Sequence, residues 1–339
     1  MPTPGAIVTF GEPLVRLSAP GAETLLQSPT LGVCFGGAEA NVAVSLARLG
    51  RDSRYVGVAP DNALGRAARD ELRRYGVDVS GVRWGAGRMG LYFLTPGAIR
   101  RPADILYDRA DSAFALAPAD LVDWDAALQG AGWFHISGVT PAIGPRAADA
   151  AIRAVEAARR LGLQISFDCN YRPKLWEAWD GDGPAILGRI VANADLLFGD
   201  HRDFSLILGR SFSGDADAVR RAGAEAMFEA YPGLQRTACT SRLQHSVDHH
   251  DLTGFMFSRE QSLTTETVPL WPIVDRIGGG DAFAAGLIHG LSLGWAAQES
   301  LEFAVAAAGL KHAIPGDFNL ADEAEIRAAM SGAAFDVKR

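Results

Sequence analysis

Short runs in which nearly every residue is apolar alternate along the chain with longer stretches whose apolar residues recur every third or fourth position. The first kind predicts strands buried on both faces, the second amphipathic helices. Ala6–Gly11 (AIVTFG) reads as a strand, and Ala38–Gly50 (AEANVAVSLARLG) as a helix stopped by glycine. Ser53–Ala59 is a second strand and Ala63–Gly76 a second helix, again ending on glycine. After a middle section the alternation resumes with strand-like WFHISG, LQISFD, DLLFG and LQRTACT, and helix-like stretches between them, from Pro145 to Tyr231. This pattern predicts an α/β fold with a mostly parallel central sheet flanked by helices.

The middle section, Arg88–Ala113, follows neither rule. It alternates aromatic or aliphatic residues with small or polar ones and holds no convincing helix. It reads as strands of a small antiparallel sheet appended to the main one, joined by parts of EPLVRLSAPG and TLGVCFGG. A sheet built from insertions between core elements is well placed to close over a ligand.

Composition narrows the function. The 339 residues are 48% hydrophobic and 21% charged, with 32 basic against 40 acidic residues and a net charge of −8. That balance disfavours a nucleic-acid or anionic-membrane surface. The apolar stretches are too short and too interrupted to span a bilayer, and the N-terminus lacks a leader pattern. Cys34, Cys169 and Cys239 are odd in number and widely spaced, as in a cytoplasmic protein with reduced thiols.

Two glycine-rich segments carry candidate chemistry. In VDRIGGGDAFAAG, Gly278, Gly279 and Gly280 stand at a loop-to-helix junction followed by Asp281. Glycines let backbone approach an anion, and the first N–H groups of a helix are unpaired donors. An aspartate there is also a common N-cap, so spacing alone leaves both readings open. In FGGAEANVAVSLARLG, Gly36 and Gly37 precede a helix whose first turn carries Asn41, a donor and acceptor suited to a polyhydroxyl ligand. A dinucleotide-binding glycine fingerprint would follow the first strand, and none does.

These two segments together resemble the signatures of the ribokinase-like, PfkB-type carbohydrate kinases, and the resemblance covers nearly the whole chain. FGEPLVRLSAPG, ILYDRADSAFA, FDCNYRPKLW and LKHAIPGDFN further resemble the kinases of 2-keto-3-deoxygluconate within that family. The resemblance implies one ribokinase-like domain over residues 1–339, with a β lid from insertions around 14–36 and 88–113. It implies transfer of the ATP γ-phosphoryl group, with Mg²⁺, to the C6 hydroxyl of a sugar acid. Asp281 would be the base and the Gly278–Gly280 amides the anion hole. Substrate contacts would come from Gly36, Gly37, Asn41, Tyr92, Tyr107, Arg109, Asn170, Arg172 and Asp281. Relatives also suggest a homo-oligomer, a dimer through the lid strands.

The residue types suit such a substrate independently. Arginine recognises a planar carboxylate bidentately, and Arg109 and Arg172 each stand near a tyrosine, Tyr107 and Tyr171. Arg16 either serves an acid substrate or lies on the lid surface. A carboxylate at a helix N-terminus is expected to stay ionised, as a base must be.

Several positions depart from the family pattern. GDHRDF offers Asp200 and Asp203 where an Asn-x-x-Glu element is common, so Mg²⁺ through water is the expectation. The usual nucleotide-side glycine loop is replaced by CTSRLQHSVDHHD, where Thr240, Arg242 and Ser246 are the candidate ATP contacts. Asp275 either helps to hold a monovalent cation such as K⁺ or caps its loop. Arg276 stands where a threonine is usual, without an assigned role. His245, Asp248, His249, His250 and Asp251 read as a polar turn in preference to a metal site. A kinase for a neutral sugar such as fructose or ribose, or for a nucleoside, would leave Arg109 and Arg172 surplus. A sensor that has lost catalysis is the non-enzymatic alternative.

Overall fold

The computed structural model describes residues 5–331, so the first residues of the N-terminal stretch lie outside it. In chain order the strands are β1 (Ala6–Phe10), β2 (Leu14–Ser18), β3 (Gly32–Gly36), β4 (Ser53–Pro60), β5 (Asp78–Gly85), β6 (Gly90–Thr95) and β7 (Asp104–Asp108). There follow β8 (Ala131–Ser137), β9 (Gln164–Asp168), β10 (Leu196–Phe198), β11 (Arg236–Gln244), β12 (His250–Phe257), β13 (Ser262–Thr264) and β14 (Val268–Leu270).

The larger sheet runs β13-β12-β11-β10-β9-β8-β1-β4-β5, with β14 also on β12. From β11 to β5 every neighbour is parallel. β12 reverses the direction, and β13 and β14 pair antiparallel with it. β1 is buried at all five positions, as a central parallel strand with both faces covered must be. Side chains of β8 alternate between two layers. Phe134 and Ile136 join the core under the Pro145–Arg160 and Gly183–Val191 helices. Trp133 joins the opposite core, under the Ala38–Arg48, Gly279–Ser292 and Ala297–Lys311 helices. Alanines 284, 285, 304 and 308 let the last two helices pack closely.

The smaller sheet runs β3-β2-β6-β7. Its outer pairs are antiparallel, and its central pair, β2 with β6, is parallel. That direction follows from the connection, because a whole helix–strand–helix–strand segment of the core lies between β2 and β6. Alternation does the rest. Ile105 and Tyr107 of β7 turn inward beside Tyr92, Leu94 and Leu14, and this face packs on Ile277 of the larger unit.

Buried charge joins the two sheets. Arg16 of β2 is 6% exposed. It donates from Nη2 to Asp275 Oδ2 at 2.6 Å and from Nη1 to Asp317 Oδ1 at 3.0 Å. It is therefore neither a surface residue nor free for substrate, and both sequence-based expectations for it are corrected. Its partners lie some 260 and 300 positions away in sequence, beyond the reach of any local pattern. Tyr92 of β6 adds its hydroxyl to Asp317 Oδ2 at 2.7 Å.

Removing one partner from a buried ion network leaves the others uncompensated. Arg16→Met is expected to lower the unfolding free energy by about 3–5 kcal/mol, measured by urea denaturation at pH 7. A loss within experimental error would show that the two acids are not held by Arg16.

Candidate active site

The GGGD segment forms the floor of a cleft of about 400 Å³ between the two sheets. The helix runs from Gly279 to Ser292, and its N-cap is Gly278 at φ 81°. Asp281 is the third helical residue, so the capping alternative for it is excluded. Gly278 tolerates no side chain, since a Cβ there would lie 2.0 Å from the Asp317 carbonyl oxygen. Gly280 faces open space, with nothing within 4 Å of a Cβ. Of the expected Gly278–Gly280 donors, the Gly279 amide is taken by the Arg276 carbonyl at 3.4 Å, while among the described residues the Gly280 and Asp281 amides have no backbone acceptor. Two free donors at a helix start, with no side chain above them, suit a phosphoryl group.

Asp281 accepts a 2.6 Å hydrogen bond on Oδ2 from Asn41 Nδ2. Asn41 is placed by Glu39, two residues earlier, which is buried and accepts from the Ser137 amide at 2.9 Å and the Thr140 hydroxyl at 2.6 Å. The helix carrying Asn41 is thereby fixed to the end of β8. Loss of hydration pushes the Asp281 carboxyl up to about 7, opposed by the Asn41 bond, and the nearby Asp317 charge adds to the rise. Desolvation therefore opposes the ionisation that the helix terminus was expected to favour.

Asp168, at the end of β9, also lines the cleft. Burial, then the charges of Asp281 and Asp203, raise its carboxyl to about 8, with Arg172 opposing. Two acids here share one field. Nothing in the FDCNYR segment marks Asp168 for the site, because a lone aspartate at a strand end looks like the start of any loop.

On the wall formed by the smaller sheet, Tyr92 and Tyr107 are cross-strand partners with ring centroids 6.3 Å apart. Arg109 lines the cleft, but its Nε is committed to Glu12 Oε2 at 2.6 Å in a buried pair. Neither Arg109 Nη atom has a partner among the described residues. Asn170, held at φ 36°, donates to Ser137 Oγ at 3.0 Å, and exposed Arg172 reaches only the Tyr171 carbonyl, at 3.1 Å. Both line the cleft, as does Gly37. Gly36 does not; it packs against the Asp317 carboxylate.

The far side is cationic. Thr240 and Arg242 of β11 line it together with Arg276 and His312. Burial and the charge of Arg276 lower the Arg242 pKa. Neither arginine has a carboxylate partner among the described residues, so Arg276, which had no role in the sequence, is a cleft-lining cation. Ser246 lies away from the cleft, its hydroxyl donating to Asp248. Asp200 and Asp203 cap the His201–Leu208 helix in a reciprocal box, and Asp200 also pairs with Arg202. Asp275 is occupied by Arg16, as above.

At the β11–β12 hairpin, His245, His249 and Asp251 bring candidate ligand atoms within 4.8 Å of one another. His245 Nε2 and Asp251 Oδ2 stand 2.7 Å apart, and the His245 and His249 rings are 4.5 Å apart, contacts that suit the polar turn expected there. No helix among the described residues is long and apolar enough to cross a membrane.

With this geometry in place, comparison with known proteins gives consistent results. Residues 6–317 match the pfkB family carbohydrate kinases. The chain is 30% identical over 334 residues to a 2-dehydro-3-deoxygalactonokinase of Haloferax volcanii, covering 98% of this chain and 99% of that one. It is 27% identical over 316 residues to a 2-dehydro-3-deoxygluconokinase of Bacillus subtilis, covering 92% and 91%. Its structure resembles the crystal structure of a 2-dehydro-3-deoxygluconokinase of Thermotoga maritima, with a TM-score of 0.91 at 37% identity, covering 97% of this chain and 100% of that one.

The raised acids set a pH dependence that needs no ligand. An acid whose folded pKa lies above its unfolded value contributes nothing when both states are protonated. It destabilises progressively as pH rises from the ordinary value of 3.8 through the folded value. The ligand-free protein should therefore lose stability between about pH 4 and pH 8. Asp168→Asn should melt above the wild type at pH 8, with the gap closing toward pH 5. An equal gap at both pH values in thermal unfolding would remove Asp168 as the cause.

Proposed function

The chain belongs to the pfkB family of carbohydrate kinases, and from that membership we propose that it phosphorylates the C6 hydroxyl of 2-keto-3-deoxygluconate or a closely related sugar acid. The carrying observation is the pair Arg109 and Arg172 in one cleft with Asp281. Unpaired guanidinium nitrogens there match a substrate carboxylate and have no task with a neutral sugar. The names of the three relatives point the same way.

In this reading the acid lies under the tyrosines of β6 and β7, with Asn170 and Gly37 beside its hydroxyls. Asp281 accepts the proton of the attacking hydroxyl as the new O–P bond forms and the bond to the leaving ADP breaks. Asn41 fixes the orientation of the carboxylate, and a carboxyl near 7 is well matched to general-base work at neutral pH. The Gly280 and Asp281 amides meet charge on the transferred group. Thr240, Arg242 and Arg276 face the nucleotide. Mg²⁺ bound with ATP would supply further positive charge against the phosphate oxygens. Asp200 and Asp203 would reach it through water, which requires the capping box to loosen. We further propose that the two sheets work as one domain with a β lid, that the protein is cytoplasmic with three free thiols, and that it pairs through the lid.

An ADP-release assay with Mg²⁺ should respond to 2-keto-3-deoxygluconate or its galactonate epimer and not to fructose, ribose or adenosine. Release with neutral sugars alone would overturn the acid reading, and none with any substrate would favour the sensor. Asp281→Asn should lower kcat by about 10²–10⁴; turnover near that of the wild type would remove it as the base. Arg172→Ala should raise the KM for the sugar acid about 10- to 100-fold, the loss of one charge-assisted contact, with the KM for ATP unchanged. Arg172 is the cleaner probe, because Arg109→Ala would also strand buried Glu12.

A further inference from the structure

The Ala297–Lys311 helix ends on a lysine that is 0% exposed. A buried ammonium is costly unless its donors are met, so its surroundings should explain it. Among the described residues Lys311 pairs with no carboxylate. Its Nζ instead donates to the Ile314 carbonyl at 2.9 Å and stands 3.5 Å from the carbonyl of Asp275. Its Cε lies 3.3 Å from where a Gly278 Cβ would sit. The ammonium is thus packed against the Asp275–Gly278 turn that leads into the Gly280 and Asp281 amides, and Lys311 does not line the cleft. Asp275, Asp317 and Asp281 favour its charge, and burial opposes it more strongly and lowers its pKa.

Carbonyl oxygens around a monovalent cation are the chemistry of an alkali-ion site, and sequence resemblance suggested K⁺ at Asp275. The residues present do not fit that ion. Asp275 Oδ2 accepts from Arg16 Nη2 at 2.6 Å and from the Gly316 amide at 3.0 Å. Its Oδ1 accepts from the Ile277 amide at 3.0 Å. Its carbonyl faces Lys311. Every oxygen of Asp275 is turned to a donor, and two of those donors are cations.

We propose that the Lys311 ammonium takes the place of a monovalent metal ion, holding the phosphate-binding turn in position so that catalysis needs no K⁺. Lys311 touches no reacting atom and is a positioning residue. The proposal rests on the kinase reading, and its test separates the two.

ADP release by the wild type should be the same in KCl and in tetramethylammonium chloride of equal ionic strength. Lys311→Ala, which leaves room for an ion, should lose about tenfold or more in kcat, as expected when anion-hole donors are misplaced. Its substrate KM should change less, and KCl or NH₄Cl should restore part of the rate. Lys311→Met fills the space without charge, and should be equally slow and unrescued. Thermal melting gives a readout independent of turnover: KCl should raise the Tm of Lys311→Ala over the tetramethylammonium control and leave the wild type unchanged. Activation of the wild type by K⁺, or wild-type kcat in Lys311→Met, would overturn the proposal. Absence of ADP release by the wild type with every sugar would instead defeat the kinase reading, and the melting comparison would still decide the cation question.

Discussion

One guanidinium spans two buried acids at the centre of this molecule. Asp275 opens the turn that ends in Gly278, and Asp317 closes over it, its carbonyl where a Gly278 side chain would be. Arg16 binds both from β2. The turn is framed on two sides, and the frame is attached to the smaller sheet. A buried ion pair is weak evidence for stability, but it is a strict device for register, because a shifted strand would leave three charges unpaired. Tyr92 repeats the link from β6. The smaller sheet over the cleft and the glycine floor beneath it are therefore placed by the same contacts.

The floor and walls divide the charge. Asp168 and Asp281 lie at the ends of elements from the larger sheet layer, and both are pushed up by lost hydration and by neighbouring negative charge. The arginines stand around them without carboxylate partners, except for Arg109. Acids with pKa values near neutrality in a cleft also lined by cations can take up a proton without a large rearrangement of charge. Orientation is supplied separately, by Asn41 on Asp281 and by Glu39 behind Asn41.

The larger sheet was legible in the sequence because its strands are buried on both faces and its helices on one, so burial wrote itself into the hydrophobic period. The smaller sheet showed its alternation too, but not the parallel β2–β6 pair, whose direction depends on the core segment between them. At the site, the glycines, Asn41 and Asp281 were legible as a local cluster. Asp168 and Asp317 were not, since each is a single polar residue at or beyond the end of an ordered element and gains meaning only from partners far along the chain. Arg16 was misread for the same reason. Asp200 and Asp203 carried a readable signal of another kind: two acids three apart at a helix start form a capping box, and the structure uses them so.

Lys311 and Arg16 together explain why Asp275 can stay buried with no free oxygen. A diffusible ion in that place would bring charge without a tether, and the turn would then depend on ion concentration. A lysine brings the charge on its own chain, and its stem lies against Gly278. The entropy of fixing that stem is spent once, on folding, instead of at each encounter with an ion. The geometry also has a consequence for the acids. A cation fixed behind the turn lowers the Asp281 carboxyl, as does Arg172 from the cleft. The same lysine proposed to order the amides thus helps to hold the proposed base near 7.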